Sequence, residues 1–143
     1  MEKVPSPRRV TLLFMNPLKF RFLWTLIGYG LVLLVVVLSL SPAPPPSVSF
    51  PWIDKLLHVM AYGVLMLWFA QLHPQSRYGW LAGGFVTMGI LLEVLQSFTG
   101  YRSGDYWDVA ANSFGTALSW GLAFKGMNTL LHRLEGWCRQ TER

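Results

Sequence analysis

The stretch GYRSGDYWDVAAN, residues 100–112, concentrates charge in a chain that otherwise carries little of it. Its charged and amide side chains are Arg102, Asp105, Asp108 and Asn112. Glu93 lies just upstream, beside an apolar run. The whole chain is 52% hydrophobic and only 13% charged. Because polar groups beside long apolar runs need partners, we expect these residues to converge on one site at one face of the protein.

The composition predicts an integral membrane protein. The chain has 143 residues, a mean hydropathy of +0.37, 7 Trp and 9 Phe. Several apolar runs approach the ~20 residues that a bilayer span needs. We therefore expect an all-α fold: a four-helix membrane bundle in one domain, followed by an amphipathic C-terminal helix. The single cysteine, Cys138, excludes a disulfide within the chain.

Four apolar runs define the predicted spans, at about 20–40, 53–72, 80–98 and 107–124. A basic lead over residues 1–19 precedes them, and an amphipathic tail over residues 125–143 follows. The first run exceeds the roughly 7–15 apolar residues of a signal peptide, so we interpret it as an uncleaved span. Residues 41–51 contain five prolines and predict an extended connection. The tail is expected either on the membrane surface or against the bundle ends.

The basic residues are distributed as the positive-inside rule requires for cytoplasmic termini. Five lie at or before the start of the first span, one lies between the second and third spans, and four follow the fourth. Only Lys55 and Arg102 fall on the other side. The sequence thus predicts a multi-pass protein with both termini in the cytoplasm. The basic residues on either side of the spans account for the net charge of +5. We therefore expect no nucleic-acid partner.

This topology brings most ionisable residues of the spans to one depth on the outer side. The predicted site combines residues from three spans and one loop: Asp54, Lys55, His58, Tyr62, Glu93, Gln96, Arg102, Asp105, Asp108 and Asn112. Charges within a membrane cost about 2.5–3.5 kcal/mol each, so they should face one another. Four acids against Lys55 and Arg102 leave a formal charge of −2. A proton, a bound cation or a cationic ligand group is needed to compensate it.

Each of these residues also has a structural interpretation. Asp54 suits the N-cap of the second span. Lys55 suits an ion pair that joins helix ends, and Asn112 and Gln96 suit ordinary hydrogen bonds between helices. For Glu93, His58 and Arg102 taken together, function is the favoured interpretation, because ionisable groups within a membrane are functional by default.

Three motifs resemble those of the VanZ-like family of small bacterial membrane proteins. They are DKLLHVMAYGVL, EVLQSF and YRSGDYWDVAANSFG, in this order on the second, third and fourth spans. The resemblance covers roughly residues 53–121 and includes every charged position of the predicted site. The family is named for a protein associated with resistance to the glycopeptide teicoplanin. The resemblance therefore implies a location in the bacterial inner membrane, an envelope role, and a part in glycopeptide antibiotic tolerance as an expectation.

The first functional hypothesis is a site that binds or modifies an envelope molecule at the outer leaflet. Its partner would be a membrane lipid or a lipid-linked envelope precursor, because Lys55 and Arg102 can hold phosphate. The acid and base roles would fall to His58, Glu93 and Asp108. The remaining positions form the ligand-binding set: Asp54, Lys55, Tyr62, Gln96, Arg102, Asp105 and Asn112.

Three other hypotheses belong to different classes. A scaffold protein would use the charged cluster as a structural lock. A divalent-metal site could use the carboxylates and His58, but the nearby Lys55 and Arg102 oppose a cation, so no metal is predicted. A transporter would require an oligomer, and the sequence fixes neither the oligomeric state nor a cofactor.

Overall fold

The chain is all-α, as predicted, throughout the residues that the structure describes. The computed structural model describes residues 18–42, 52–100 and 104–141, with side chains as far as residue 138. Within these ranges it has no strand and five α-helices: α1 (Arg21–Leu40), α2 (Ile53–Leu72), α3 (Tyr78–Ser97), α4 (Tyr106–Phe124) and α5 (Leu130–Thr141). Short 3₁₀ turns, Gln75–Arg77 and Met127–Thr129, precede α3 and α5. Most of the basic lead and of the proline-rich connection lies outside the described residues.

The helix boundaries follow from local chemistry. Pro74, which lacks an N–H group, lies just beyond the end of α2. Gly126 has a φ of 103°, a conformation that glycine adopts without strain, and it turns the chain between α4 and α5. Asp105 caps α4, since its side chain accepts a 2.9 Å hydrogen bond from the Trp107 N–H. The N-cap role considered for Asp54 is wrong, because Trp52 occupies that position of α2 and makes no side-chain cap bond.

Helix α2 is the centre of the packing. It contacts α1, α3 and α4, and its most extensive contact is with α4. Small residues allow this close approach: Gly63 packs near Ser119, and Gly115 lies directly against the backbone of Val59. A methyl group on Gly115 would overlap the Val59 carbonyl oxygen. The α2–α4 contact therefore depends on glycine, as is common for helices that approach closely in lipid.

The burial pattern is inverted relative to a water-soluble helical protein. Polar side chains are buried between the helices, among them Gln71, Glu93, Gln96, Asp108, Asn112, Thr116, Ser119 and Asn128. Large apolar side chains point outward along α1, where Phe22 is 84% exposed and Leu33 is 63% exposed. Lipid tolerates apolar exposure and penalises unpaired polar groups. The pattern indicates a membrane protein.

Three helical segments of the described chain are long and apolar enough to cross a membrane: Arg21–Leu40, Ile53–Leu72 and Gln75–Ser97. The fourth predicted span, α4, has the length of a span with 19 residues. It is not one of these three segments. Asp108, Asn112 and several small residues lower its hydropathy.

The two ends of the helix assembly have different roles. At the end that we call the tail end, the start of α1 and the end of α2 meet α5. The start of α3 meets the 3₁₀ turn that precedes α5, where Asn128 donates a hydrogen bond to the Tyr78 hydroxyl. Leu131 of α5 is buried against Leu18 and Leu72, and its N–H donates a 2.8 Å hydrogen bond to Gln71 Oε1. The tail therefore packs against the helix ends, the second of the two placements expected for it. The opposite end, which we call the site end, carries the predicted site.

Glu135 joins the tail to the start of α1. Its carboxylate accepts hydrogen bonds from the N–H groups of Lys19 (2.7 Å) and Phe20 (3.0 Å) and from Trp24 Nε1 (2.8 Å). The backbone N–H groups of Lys19 and Phe20 lie at the start of α1, where a negative charge is stabilised by the helix dipole. Glu135 is only 6% exposed, so these bonds are shielded from water.

We predict that Glu135→Ala lowers the free energy of unfolding by about 2–4 kcal/mol, because it leaves three donors without their acceptor. Thermal unfolding of the purified protein in detergent measures the change. Arg133→Ala, an exposed position on the same helix, is the matched control and should change stability little. Equal effects from the two variants would contradict the proposed role of Glu135.

We also predict that Gly115→Ala destabilises the protein by about 1–3 kcal/mol, because the added methyl group forces α2 and α4 apart. Gly121→Ala is the matched control on the same helix, since a Cβ there meets no atom within 4 Å. The control should be neutral or slightly stabilising, because alanine favours helix more than glycine does. A folded yield and melting temperature that fall equally in both variants would contradict the close-contact argument.

Candidate functional site

Lys55 is the central residue of the polar cluster at the site end. We use this name for Asp54, Lys55, His58, Glu93, Asp105, Asp108 and Asn112. Its Nζ lies 2.6 Å from Asp105 Oδ2 and 3.5 Å from Asp54 Oδ2, and it is in direct contact with Asp108 Oδ1. The Asp108 side chain is only 6% exposed, so this contact is nearly dry. One ammonium thus joins the first turn of α2 to the first turn of α4. It also shows that Lys55 is occupied by carboxylates and does not present a free cation for phosphate.

His58 lies one turn further along α2 and faces α4. Its Nδ1 lies 3.0 Å from Asn112 Oδ1, and because an amide oxygen only accepts, Nδ1 carries the proton in this bond. Its Nε2 lies 3.5 Å from Asp108 Oδ2 and 3.9 Å from Asp54 Oδ1. The hydrogen bond that Nδ1 donates to Asn112 therefore orients the ring so that Nε2 faces two carboxylates.

Glu93 supports the start of α4 from α3. Its Oε2 accepts a 2.8 Å hydrogen bond from the Asp105 N–H, and the Glu93 side chain is buried. The backbones also approach closely, since a Cβ on Gly104 would lie 2.9 Å from the Glu93 carbonyl oxygen. Glu93 thus helps to place Asp105, which in turn contacts Lys55.

The other predicted site residues have different positions. Tyr62 is one turn from His58 and is 1% exposed, and its hydroxyl has no hydrogen-bond partner within the described part of the chain. Gln96 donates a 2.7 Å hydrogen bond to the Ser39 carbonyl oxygen and so joins α3 to the end of α1. That contact agrees with the structural interpretation of Gln96. Arg102 lies outside the described residues, so its pairing with the acids stays a prediction.

Two hollows reach the cluster from different sides. A cavity of about 240 Å³ lies between α1 and α2, lined by Val35, Leu38, Ser39, Asp54, Leu57, His58, Ala61 and Tyr62. A groove of about 570 Å³ lies between α2 and α4, lined by Trp52, Lys55, Val59, Trp107, Ala110, Ala111 and Phe114. The predicted site contains no residue of α1, so the contribution of this helix was missed. The available signal was Ser39, a polar residue at the outer end of the first predicted span.

Carboxylates outnumber ammonium groups among the residues of the cluster that the structure describes. Four carboxylates face one ammonium among its described members: Asp54, Lys55, Glu93, Asp105 and Asp108. The hydrogen bond from Lys55, and then that from the Trp107 N–H, lowers the pKa of Asp105 below its ordinary value of 3.8. The stabilisation from this ionised carboxylate is therefore complete above pH 3.8 and is lost as the pH falls through the lowered pKa.

Comparison with known families gives one match. The VanZ/LLP1 family model matches residues 5–131. This match spans α1 to α4, every residue of the polar cluster, and the tail as far as the buried Leu131. No curated protein and no solved structure matches the chain.

We predict that Lys55→Met lowers the free energy of unfolding by about 3 kcal/mol, because it leaves the buried Asp108 carboxylate without its ammonium partner. Adding Asp108→Asn should recover part of the loss, since the neutral amide needs no counter-charge. Unfolding of the single and double variants in detergent measures the coupling. Lys125→Met, at an exposed lysine, is the control, and an equal loss there would contradict the assignment.

Proposed function

The chain belongs to the VanZ/LLP1 family, and we propose that it binds or modifies a cell-envelope molecule at the polar cluster of its site end. The proposed ligand is a lipid head group or a lipid-linked saccharide in the outer leaflet of the bacterial inner membrane. A role in glycopeptide antibiotic tolerance is part of the same proposal and rests on the family resemblance.

The proposed topology is a four-helix bundle in which α1 to α4 cross the bilayer and both termini lie in the cytoplasm. The length of α4, 19 residues, supports its inclusion, because it matches a bilayer of about 30 Å at 1.5 Å per residue. The contacts of α4 with α2 and α3 also support it, since they shield its polar residues from lipid. The basic residues at the tail end support a cytoplasmic position for that end.

The observation that carries the proposal is the position of His58. Its Nε2 faces the buried Asp108, and its ring lines the cavity between α1 and α2. A neutral imidazole in this setting can accept a proton from a ligand hydroxyl or water, and Asp108 would stabilise the imidazolium that forms. In this scheme Glu93 is a positioning residue that acts through Asp105.

Recognition of an anionic head group would rest on Arg102 more than on Lys55. The Lys55 ammonium is already held by Asp105 and Asp108, so a phosphate would have to displace a carboxylate. The apolar groove that begins at Lys55 and is walled by Trp52 and Trp107 suits the acyl or polyprenyl chain of a lipid ligand. Polar and apolar parts of one lipid would thus contact adjacent surfaces.

The second candidate function is a non-enzymatic scaffold, and one specific observation favours it. Lys55 binds carboxylates from both α2 and the start of α4, which is the arrangement of a structural lock. For a lock, loss of a cluster residue should reduce folded yield and any cellular phenotype in proportion.

We predict that His58→Gln, in purified protein reconstituted into nanodiscs, lowers binding of a polyprenyl-diphosphate-linked saccharide or of phosphatidylglycerol by at least tenfold. Native mass spectrometry or a fluorescent-lipid titration measures the affinity, and size-exclusion chromatography verifies folding. His73→Gln is the matched control, because His73 bonds the Phe69 carbonyl at the other end of α2. Unchanged binding in well-folded His58→Gln protein would contradict the proposed site, and failure of the wild-type protein to bind either lipid would favour the scaffold.

A further inference from the structure

The orientation of α5 is fixed by contacts on one of its sides, which we call the inner side. Leu131 is buried against Leu18 and Leu72, and its N–H donates a hydrogen bond to Gln71. Glu135, one turn further on, accepts hydrogen bonds from N–H groups at the start of α1. Because Leu131 and Glu135 hold the helix in place, the direction in which each of its other side chains points is also fixed.

A second apolar side of α5 lies apart from the inner side. Leu130, Leu134 and Trp137 recur at helical spacing, and all three are exposed. At about 100° per residue, their mean direction is roughly 110° from that of Leu131 and Glu135. The inner contacts therefore leave this apolar side, Leu130, Leu134 and Trp137, facing away from the helix ends.

The third side of α5 is polar. Gly136 points about 120° away from both of the other sides. A Cβ on Gly136 would meet no atom within 4 Å, so this direction is open. Arg133 is exposed and lies between the polar side and the apolar side. A helix with these three sides suits the boundary between lipid and water, where a long basic side chain reaches from an apolar surface to the head groups.

Exposed aromatic side chains indicate the depth of α5. They occur at the tail end and at the site end: Phe20, Trp80 and Phe124, and Trp52, Phe98 and Trp107. Trp80 and Phe98 lie about 27 Å apart along α3, and Trp107 and Phe124 lie about 26 Å apart along α4. These separations are close to the ~30 Å of a hydrocarbon core, and aromatic rings are typical of both membrane interfaces. Since α5 follows Phe124 after a short turn, it lies at the level of the tail-end interface.

Positive charge accompanies the apolar side. Lys125 and Arg133 are both exposed. The sequence from residue 125 to residue 143 contains four basic and two acidic residues, and one of these acids, Glu135, is buried against N–H groups. Each basic residue near an anionic membrane surface strengthens the attraction by roughly fivefold. The charge of this surface is therefore complementary to anionic lipid.

We propose that α5 is an interfacial helix that binds anionic phospholipid in the leaflet at the tail end. Leu130, Leu134 and Trp137 lie beside the acyl chains, and Lys125 and Arg133 contact the head-group phosphates. The two placements expected for the tail are then compatible, because one side of α5 packs against the helix ends while another contacts the membrane. This contact does not depend on the proposed function, which concerns the site end.

The depth of α5 is measured with a nitroxide on a single cysteine, in a full chain that also carries Cys138→Ser. Leu134→Cys places the label on the apolar side, and Gly136→Cys is the matched control on the polar side. In nanodiscs that contain phosphatidylglycerol, oxygen should relax the label at position 134 about threefold more than a water-soluble nickel chelate does, with the reverse order at position 136. Equal access of the nickel chelate to both labels would overturn the proposal and leave the apolar side to a protein partner.

The class of lipid is measured on the chain without substitutions. A fluorophore on Cys138, which is exposed and is the single cysteine, reports on lipid beside α5. Head-group spin-labelled phosphatidylglycerol should quench it about two- to fivefold more than phosphatidylcholine that carries the same label. Salt at about 1 M should remove most of this difference, because it screens the charges. Equal quenching by the two lipids at low salt would overturn the choice of an anionic lipid.

Two variants assign the preference to particular side chains. Lys125→Gln combined with Arg133→Gln should abolish the difference between the two lipids. Arg133→Lys is the matched control, because it keeps the charge and should keep the preference. Size-exclusion chromatography verifies that each variant is folded. A preference that survives the loss of both charges in folded protein would contradict the role given to Lys125 and Arg133.

Discussion

The close crossing of α2 and α4 is the constraint on which the rest of the structure depends. Gly115 lets the α4 backbone lie directly against Val59, and only at that separation can the short side chains of Asp108 and Asn112 reach α2. Lys55 then contacts Asp108, and His58 contacts Asn112 one turn further along. The Gly115–Val59 contact sets the separation of α2 and α4. The polar contacts at the site end can form only because this separation is small.

The helices and the family could be predicted from the sequence, because apolar runs and spaced motifs are local signals. The partners of individual side chains could not be predicted, because they depend on contacts between distant segments. Gln96 donates a hydrogen bond to the Ser39 backbone carbonyl of α1, and the sequence does not indicate which segment of the chain meets Gln96. Asp54 and Asp105 look equally suited to cap a helix, but only Asp105 accepts a cap bond, while the Asp54 carboxylate lies near Lys55 and His58.

The tail is a second example of contacts between distant segments that the sequence does not reveal. Its apolar spacing predicts an amphipathic helix, either on the membrane surface or against the bundle ends. The spacing does not reveal that Glu135 accepts hydrogen bonds from Lys19 and Phe20, near the other end of the chain. A carboxylate near the start of a helix is favourable in general, but the sequence does not say which helix. The exposed Leu134 and Trp137 remain on the outer face of α5, where a membrane surface would accept them.

The polar cluster contains both a structural part and a part that structure alone does not explain. Lys55 forms ion pairs with Asp105 and Asp108, and these pairs alone would join the start of α2 to the start of α4. His58 differs, because its Nε2 faces two carboxylates and the residue also lines the cavity between α1 and α2. Tyr62, one turn further along α2, has a buried hydroxyl with no hydrogen-bond partner among the described residues. The structural lock requires neither feature, so His58 and Tyr62 are the positions at which a role beyond stability is expected.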